Sequence, residues 1–466
     1  MSSSIAALTR KHIEPKPHQL ETLEFVMGNK RLYNLSEMGT GKTLPAVIAT
    51  NLLHVHSLVQ RILVIAPLSV IRATWLEHLE QFAEGVPLML LDQSVKRRKL
   101  VKDLGSFNGV AIINPDGVES VFHQLRDWKP GLVIIDELSG YYRNCRTNRW
   151  KALNLLLKLT NAATWAFTGT PLTKNLLDSY AQCLLVNPGM LPQRRSGGPV
   201  SFKQYRDMLC NQPYPNIWVP KPDALERVHS YMQPAVRYTR AEVMHTLAAA
   251  VRVRKDVPLS DEQRKMIDDF VARGRAHYGD KQVSAKEARA IAAKLTQITV
   301  GTVYDNQHNV IELPAAPRLQ ALVDLFDEVE CTPIIVAAPF IHTIHRIERD
   351  LTGKGFRVAV IIGDVNPKER HEIVARFQNG QVDFLVCHPK TLAHGVTLTR
   401  SHTVCWYGPI TDLELYAQLN DRISRYGQEA QPLIVELCST PAELRMYNSL
   451  ARKEQLSGKF LDLFGG

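Results

Sequence analysis

The sequence predicts an α/β protein made of two doubly wound parallel-sheet lobes with a helical insertion between them. Two observations carry this. Apolar runs of strand length alternate with amphipathic helical patterns over the first 190 or so residues, and the same alternation resumes from about Leu313. A third sets the insertion apart: the stretch between is charged and helix-patterned, and too long for a plain connector. The predicted divisions are 1–189, 190–312 and 313–466.

In the first lobe, ILVIAP (Ile62 to Pro67), VAIIN (Val110 to Asn114), LVIID (Leu132 to Asp136) and TWAFTG (Thr164 to Gly169) read as buried strands. Between them lie helical patterns such as VIRATWLEHLEQF, in which Trp75 and Phe82 read as core. In the second lobe the strands are PIIVAA (Pro333 to Ala338), VAVIIG (Val358 to Gly363), DFLVCH (Asp383 to His388), HTVCWYG (His402 to Gly408) and PLIVEL (Pro432 to Leu437). Trp406 and Tyr407 are expected in the core there. The last helical pattern, from Thr440 to Phe464, has the apolar spacing of a brace against the second lobe.

The 466 residues suffice for two or three cores. No apolar run reaches the roughly 18 residues of a membrane span, and the N-terminus lacks a signal-peptide layout, so a cytoplasmic protein is expected. Seven scattered cysteines form no CxxC pair, which argues against structural zinc and against a disulfide framework. His342 and His345 share a helical spacing but have no third ligand nearby. A net charge of +10 and a pI near 9.2 favour a polyanionic partner, although solubility alone would also explain them. KRRK (Lys96 to Lys99) reads as a solvated helix end. Arg237, Arg240, Arg252 and Arg254 read either as the lining of a nucleic-acid groove or as ordinary surface charges.

Chemistry enters at SEMGTGKT (Ser36 to Thr43), between a strand-like run and a good helix. Gly39 and Gly41 allow backbone N–H groups to face phosphate at a helix N-terminus. Lys42 suits the β- and γ-phosphates, and Thr43 suits Mg²⁺. Asp136 and Glu137 end an apolar strand, where one carboxylate suits the metal shell and the other an attacking water. TGTP (Thr168 to Pro171) is either a γ-phosphate sensor or an ordinary strand-end turn. The Gln19 amide has the donor and acceptor needed to read adenine, and a helix cap is the alternative. Far downstream, QLNDRISRYGQ (Gln418 to Gln428) carries Arg422 and Arg425 at a spacing that shares one helix face.

The order PHQ, EMGTGKT, VIAPLSVIRATWLEHLEQF, DELS, TGTP and QLNDRISRYGQ resembles the Swi/Snf-type ATPases of helicase superfamily 2, in a small form like phage and bacterial members. The segment HPKTLAHGVTLT (His388 to Thr399) resembles that family's glycine-rich fifth motif. The resemblance implies RecA-like lobes, ATP and Mg²⁺ as cofactors, and DNA, double-stranded or branched, as partner. It implies that Gln19 contacts adenine and that Met38, Gly39, Thr40, Gly41, Lys42 and Thr43 cradle phosphate. Thr43 and Asp136 would hold Mg²⁺, with Glu137 activating water. Arg422 and Arg425 would meet the γ-phosphate from the second lobe, Arg425 as the finger. Gly395 and Thr397 would lie between nucleotide and DNA, and Ser69 and Thr391 would touch the DNA backbone. The implied activity is ATP-driven translocation on duplex DNA. A strand-separating or branch-remodelling helicase, or an ATP-gated nucleic-acid clamp, are the alternatives.

Overall fold

A computed structural model describes residues 15–91, 103–243, 249–273, 275–278, 281–284, 288–392, 398–425 and 427–464. The chain divides into two compact units, one of residues 1–245 with 453–466, the other of residues 246–452.

The sheet of the first unit has seven parallel strands. Six are β1 (Arg31–Asn34), β2 (Arg61–Ile65), β3 (Leu88–Leu90), β4 (Gly109–Ile113), β5 (Leu132–Ile135) and β6 (Ala163–Phe167). After the short antiparallel hairpin of β7 (Cys210–Tyr214) and β8 (Ile217–Pro220), β9 (Ala235–Val236) adds to the edge, giving the order β3-β4-β2-β5-β6-β1-β9. Apolar residues run continuously through β2, β4 and β5 because each face of the sheet carries its own core. One core gathers Leu63, Ile113, Ile135 and Trp128; the other holds Ile62, Val64, Ile134 and Trp75. Phe460 and Leu461, from the end of the helix Pro441–Asp462, complete the first of these. Tyr447 and Leu450 of the same helix join a core of the second unit, the lobe the sequence expected it to brace, while its last turn belongs to the first unit.

The second unit has a six-stranded parallel sheet in the order β10-β19-β18-β15-β17-β16. Its strands are β10 (Val251–Asp256), β15 (Ile334–Ala337), β16 (Val358–Ile361), β17 (Phe384–Cys387), β18 (Thr403–Trp406) and β19 (Leu433–Cys438). Two further antiparallel pairs, β11 (Arg275–Tyr278) with β12 (Lys281–Ser284) and β13 (Thr302–Tyr304) with β14 (Val310–Glu312), punctuate its N-terminal part. The middle of the chain is therefore less uniformly helical than its charge pattern suggests. Arg252 and Arg254 lie on β10. Arg254 donates to Glu436 Oε2 at 3.0 Å, and the Arg252 guanidinium sits 5.3 Å from the Tyr416 ring centre. Trp406 and Tyr407 are buried, and Trp406 stacks on Tyr416. Among the described residues no helix is long and apolar enough to cross a membrane.

Candidate nucleotide site

In a parallel sheet the loops that leave the carboxyl ends of the strands share one edge, where ligands of α/β proteins bind. In the first unit β1, β5 and β6 deliver residues 36–43, 136–137 and 168–171 to that edge. Asn34, the last residue of β1, accepts a hydrogen bond from the Ser36 amide at 3.1 Å and turns the chain into the loop. Gly39 and Gly41 both take φ of +81°, a conformation costly for any residue with a Cβ. The helix Thr43–Val55 then starts, with its first N–H groups facing the loop.

The Lys42 ammonium donates to the carbonyls of Ser36 (2.7 Å) and Glu37 (3.2 Å). Those carbonyls hold the cation inside the loop. Helix Pro17–Gly28 fastens the loop from outside. His18 Nε2 lies 2.9 Å from the Thr40 carbonyl, and Gln19 Nε2 donates to the Gly41 carbonyl at 3.2 Å. Gln19 Oε1 accepts from the Lys16 amide, so this side chain both caps its helix and holds the phosphate loop.

Asp136 follows β5 and is held from two sides. Its Oδ2 accepts the Trp75 indole N–H at 2.8 Å, and its Oδ1 accepts the Glu137 amide at 3.1 Å. Burial, with the neighbouring Glu137 charge, pushes its carboxyl up to about 6, partly opposed by Trp75 and by the Lys42 charge. Glu137 has φ of +52°, unusual for a residue with a side chain and of the kind that gathers at functional sites. Ser139 joins the third segment through a 2.8 Å contact between its Oγ and Thr168 Oγ1. A Cβ on Gly169 would lie 3.3 Å from Met38 Cγ and 3.5 Å from Lys42 Nζ, so the TGTP turn packs directly on the phosphate loop. Asp136 and Thr43 are hard oxygen donors of the type Mg²⁺ prefers. Few protein ligands are needed when phosphate and water supply the rest. Among the described residues no group of three or more His, Cys, Asp and Glu forms a dedicated metal cage.

Two contributors have no local signature in the sequence. The segment around β9 runs beside β1, and the Glu37 amide donates to the Tyr238 carbonyl at 2.9 Å. Glu37 accepts the Arg240 amide at 2.9 Å, and the Arg237 guanidinium lies 3.7 Å from its carboxylate. Arg237 and Arg240 are thus neighbours of the phosphate loop. Nothing in local spacing announces a pairing between residues 200 positions apart. Trp75 is the other. It is core, as read, but its N–H also reaches a carboxylate, and the only available signal was that a buried indole N–H needs a partner.

In the second unit Arg422 and Arg425 follow the helix Leu413–Asn420 and lie in turn and bend conformation. Their common setting therefore comes from the turn and not from helical periodicity. Arg422 is buried and donates through Nε to the Gln418 carbonyl at 3.1 Å. Arg425 Nε lies 3.7 Å from the buried carboxylate of Asp421. The Thr391 hydroxyl lies 2.9 Å from the Ile361 carbonyl and 2.6 Å from that of His388, two main-chain acceptors. Gly395, Thr397 and KRRK lie outside the described residues, as does the side chain of Ser69.

Residues 18–307 match the family model described as SNF2-related domain, and residues 317–427 match that described as Helicase conserved C-terminal domain. A putative protein, p41, of Acyrthosiphon pisum secondary endosymbiont phage 1 is 26% identical over 434 residues, covering 89% of both chains. An uncharacterized ATP-dependent helicase of Mycoplasma pneumoniae is 24% identical over 91% of this chain, which spans 40% of that protein. The DNA repair and recombination protein RAD54B of Mus musculus is 22% identical over 96% of this chain and 56% of its own length. Among solved structures, the SWI2/SNF2 ATPase core of Sulfolobus solfataricus in complex with dsDNA covers 97% of this chain and 95% of that one at 18% identity, with a TM-score of 0.43.

Proposed function

The chain belongs to the SNF2-related ATPases of helicase superfamily 2, and from that membership we propose that it is a DNA-stimulated ATP hydrolase that moves along duplex DNA. The observation that supports the nucleotide part best is the convergence of three segments in the first unit. They are the Gly39–Gly41 loop with Lys42, the Asp136–Glu137 pair, and the TGTP turn, drawn from more than a hundred residues of sequence.

In this reading Lys42 exchanges the Ser36 and Glu37 carbonyls for β- and γ-phosphate oxygens. The loop amides and the start of the helix Thr43–Val55 receive the remaining phosphate charge. Thr43 and Asp136 would hold Mg²⁺, which supplies charge neutralisation at the phosphates. Glu137 orients and polarises the attacking water. The Ser139–Thr168 link connects the carboxylate segment to the TGTP turn, so that the state of one is felt at the other. Arg422 and Arg425 are assigned to the γ-phosphate, Arg425 as the finger. Ser69, Thr391, Gly395 and Thr397 keep the DNA-facing roles that the family resemblance gives them. Contacts of that kind, to phosphate and not to bases, make movement independent of sequence.

Two assays test the reading. ATP turnover is measured without nucleic acid, then with single-stranded DNA, duplex DNA, branched DNA and RNA; duplex or branched DNA is expected to stimulate most. Equal rates under all five conditions would remove the motor. Displacement of a triplex-forming third strand without separation of the duplex identifies translocation, and separation of the duplex would identify a helicase instead.

A further inference from the structure

Of the described tryptophans, Trp128, Trp150 and Trp165 donate their indole N–H to main-chain carbonyls, of Phe107, Ala181 and Asn29. That is the ordinary way to satisfy a buried indole. Trp406 donates to a side-chain amide oxygen, Asn420 Oδ1; Trp75, fully buried, donates to a carboxylate, Asp136 Oδ2 at 2.8 Å. Its ring is fixed by a near-parallel stack on Phe167, with centroids 6.5 Å apart and planes at 19°. Phe167 is the last residue of β6 and directly precedes the TGTP turn.

The backbone is also unusual at this point. Residues Ile71–Leu76 form a π-helical turn between the α-helical turns Leu68–Val70 and Glu77–Phe82. A π-helical turn is rare, and its extra residue resets the phase of the side chains around the helix. Buried Ile71 and Leu79 on either side keep the apolar face in the core while Trp75 meets Asp136.

We infer that Trp75 is a positioning residue for Asp136, holding the metal-facing carboxylate through its indole N–H and tying it to the segment Pro67–Leu76. The inference rests on the proposed role of Asp136 toward Mg²⁺-ATP. It adds a physical connection within the first unit. The segment that carries Ser69, assigned to the DNA backbone, ends on the carboxylate that serves the nucleotide. A displacement of this segment on DNA reaches Asp136 as a displacement of its hydrogen-bond donor.

The test is Trp75→Phe, which removes the N–H and keeps a ring for the stack on Phe167. Binding of a fluorescent ATP analogue is titrated with Mg²⁺, and turnover is compared with and without duplex DNA. The Mg²⁺ needed for half-maximal binding is expected to rise about tenfold, the scale of one charge-assisted hydrogen bond. Metal-free nucleotide binding stays as in the wild type, and the stimulation by DNA falls. Phe167→Leu serves as the packing control: it lowers the melting temperature and leaves the Mg²⁺ dependence in place. In wild-type protein carrying nitrogen-labelled tryptophan, one indole N–H resonance shifts when Mg²⁺ is added to the ATP complex. An unchanged Mg²⁺ dependence in Trp75→Phe, an equal change in Phe167→Leu, or no shifted indole resonance overturns the inference. Wild-type protein that binds no nucleotide, or binds it without regard to Mg²⁺, would defeat the proposed function instead.

Discussion

Replacing Gly41 with alanine perturbs the phosphate loop in two ways whose costs can be worked from the structure. The residue has φ of +81°, where a Cβ brings strain of about 1–2 kcal/mol. The new Cβ would also collide with Gln19 Nε2, the atom that donates to the Gly41 carbonyl at 3.2 Å. Gln19 is flexible and can swing away, so the collision costs the hydrogen bond, about 0.5–1.5 kcal/mol, and not a distorted backbone. Together these make roughly 1.5–3.5 kcal/mol, or about 10- to 300-fold weaker ATP binding at 1.4 kcal/mol per decade, if the loop must hold this geometry to bind. The assay is equilibrium titration with a fluorescent ATP analogue. Gly355→Ala is the control, since φ there is +91° with no atom within 4 Å of the new Cβ. It should lower stability without touching affinity. Wild-type affinity in Gly41→Ala, with the fold intact, would refute the assignment of residues 36–43 as the phosphate site.

Arg425→Ala should lower turnover by ~10³-fold or more while nucleotide binding stays close to wild type, as for a finger arginine; steady-state kinetics beside a binding titration separate the two. Because burial raises the Asp136 carboxyl to about 6, kcat/KM should fall as pH drops through about 6, where the group takes up a proton and loses its charge for the metal. The same shift has the opposite sign for stability. The native state holds this proton more tightly than an unfolded chain with a value of 3.8, so the contribution is present at low pH and lost as pH rises toward about 6. Melting curves of the metal-free protein compared with Asp136→Asn across that range read it. Arg318, buried in the second unit, donates to Glu443 at 3.0 Å and to the Tyr407 carbonyl. Arg318→Ala leaves that carboxylate buried and uncompensated and should cost about 3–5 kcal/mol in denaturant unfolding, whereas removing both charges with apolar residues should cost less.

The parallel sheets were legible because strands buried on both faces write themselves as unbroken apolar runs, as in Ile62–Ala66 and Leu132–Ile135. The turn at Gly39 and Gly41 was legible because a loop that holds both at positive φ favours glycine there. The edge strands β9 and β10 were not. β9 has two residues, and β10 reads VRVRKD because most of its side chains face solvent; each finds its partner in register only across some 180 to 200 residues, Ala235 against Tyr33 and Val251 against Leu433. Arg237 and Arg240 inherit their place from that pairing, so their position beside Glu37 had no local signature. Trp75 shows a different limit. Its burial follows from an apolar pattern, but its partner follows from a π-helical turn that helical periodicity does not encode. The arginine pair shows a third, since a spacing that suits a helix face falls in this chain just past the helix end at Asn420.

Hydrolysis at the proposed Lys42 and Asp136 site is expected to be coupled to DNA. The most direct measurement is the rate of ATP turnover by the wild type and by Lys42→Ala, each with and without a saturating length of duplex DNA. The expected rate rises severalfold or more with duplex in the wild type, increases with duplex length until translocation is no longer limited by ends, and vanishes in Lys42→Ala. A wild-type rate indifferent to duplex and to its length, or turnover that survives the loss of Lys42, would contradict it.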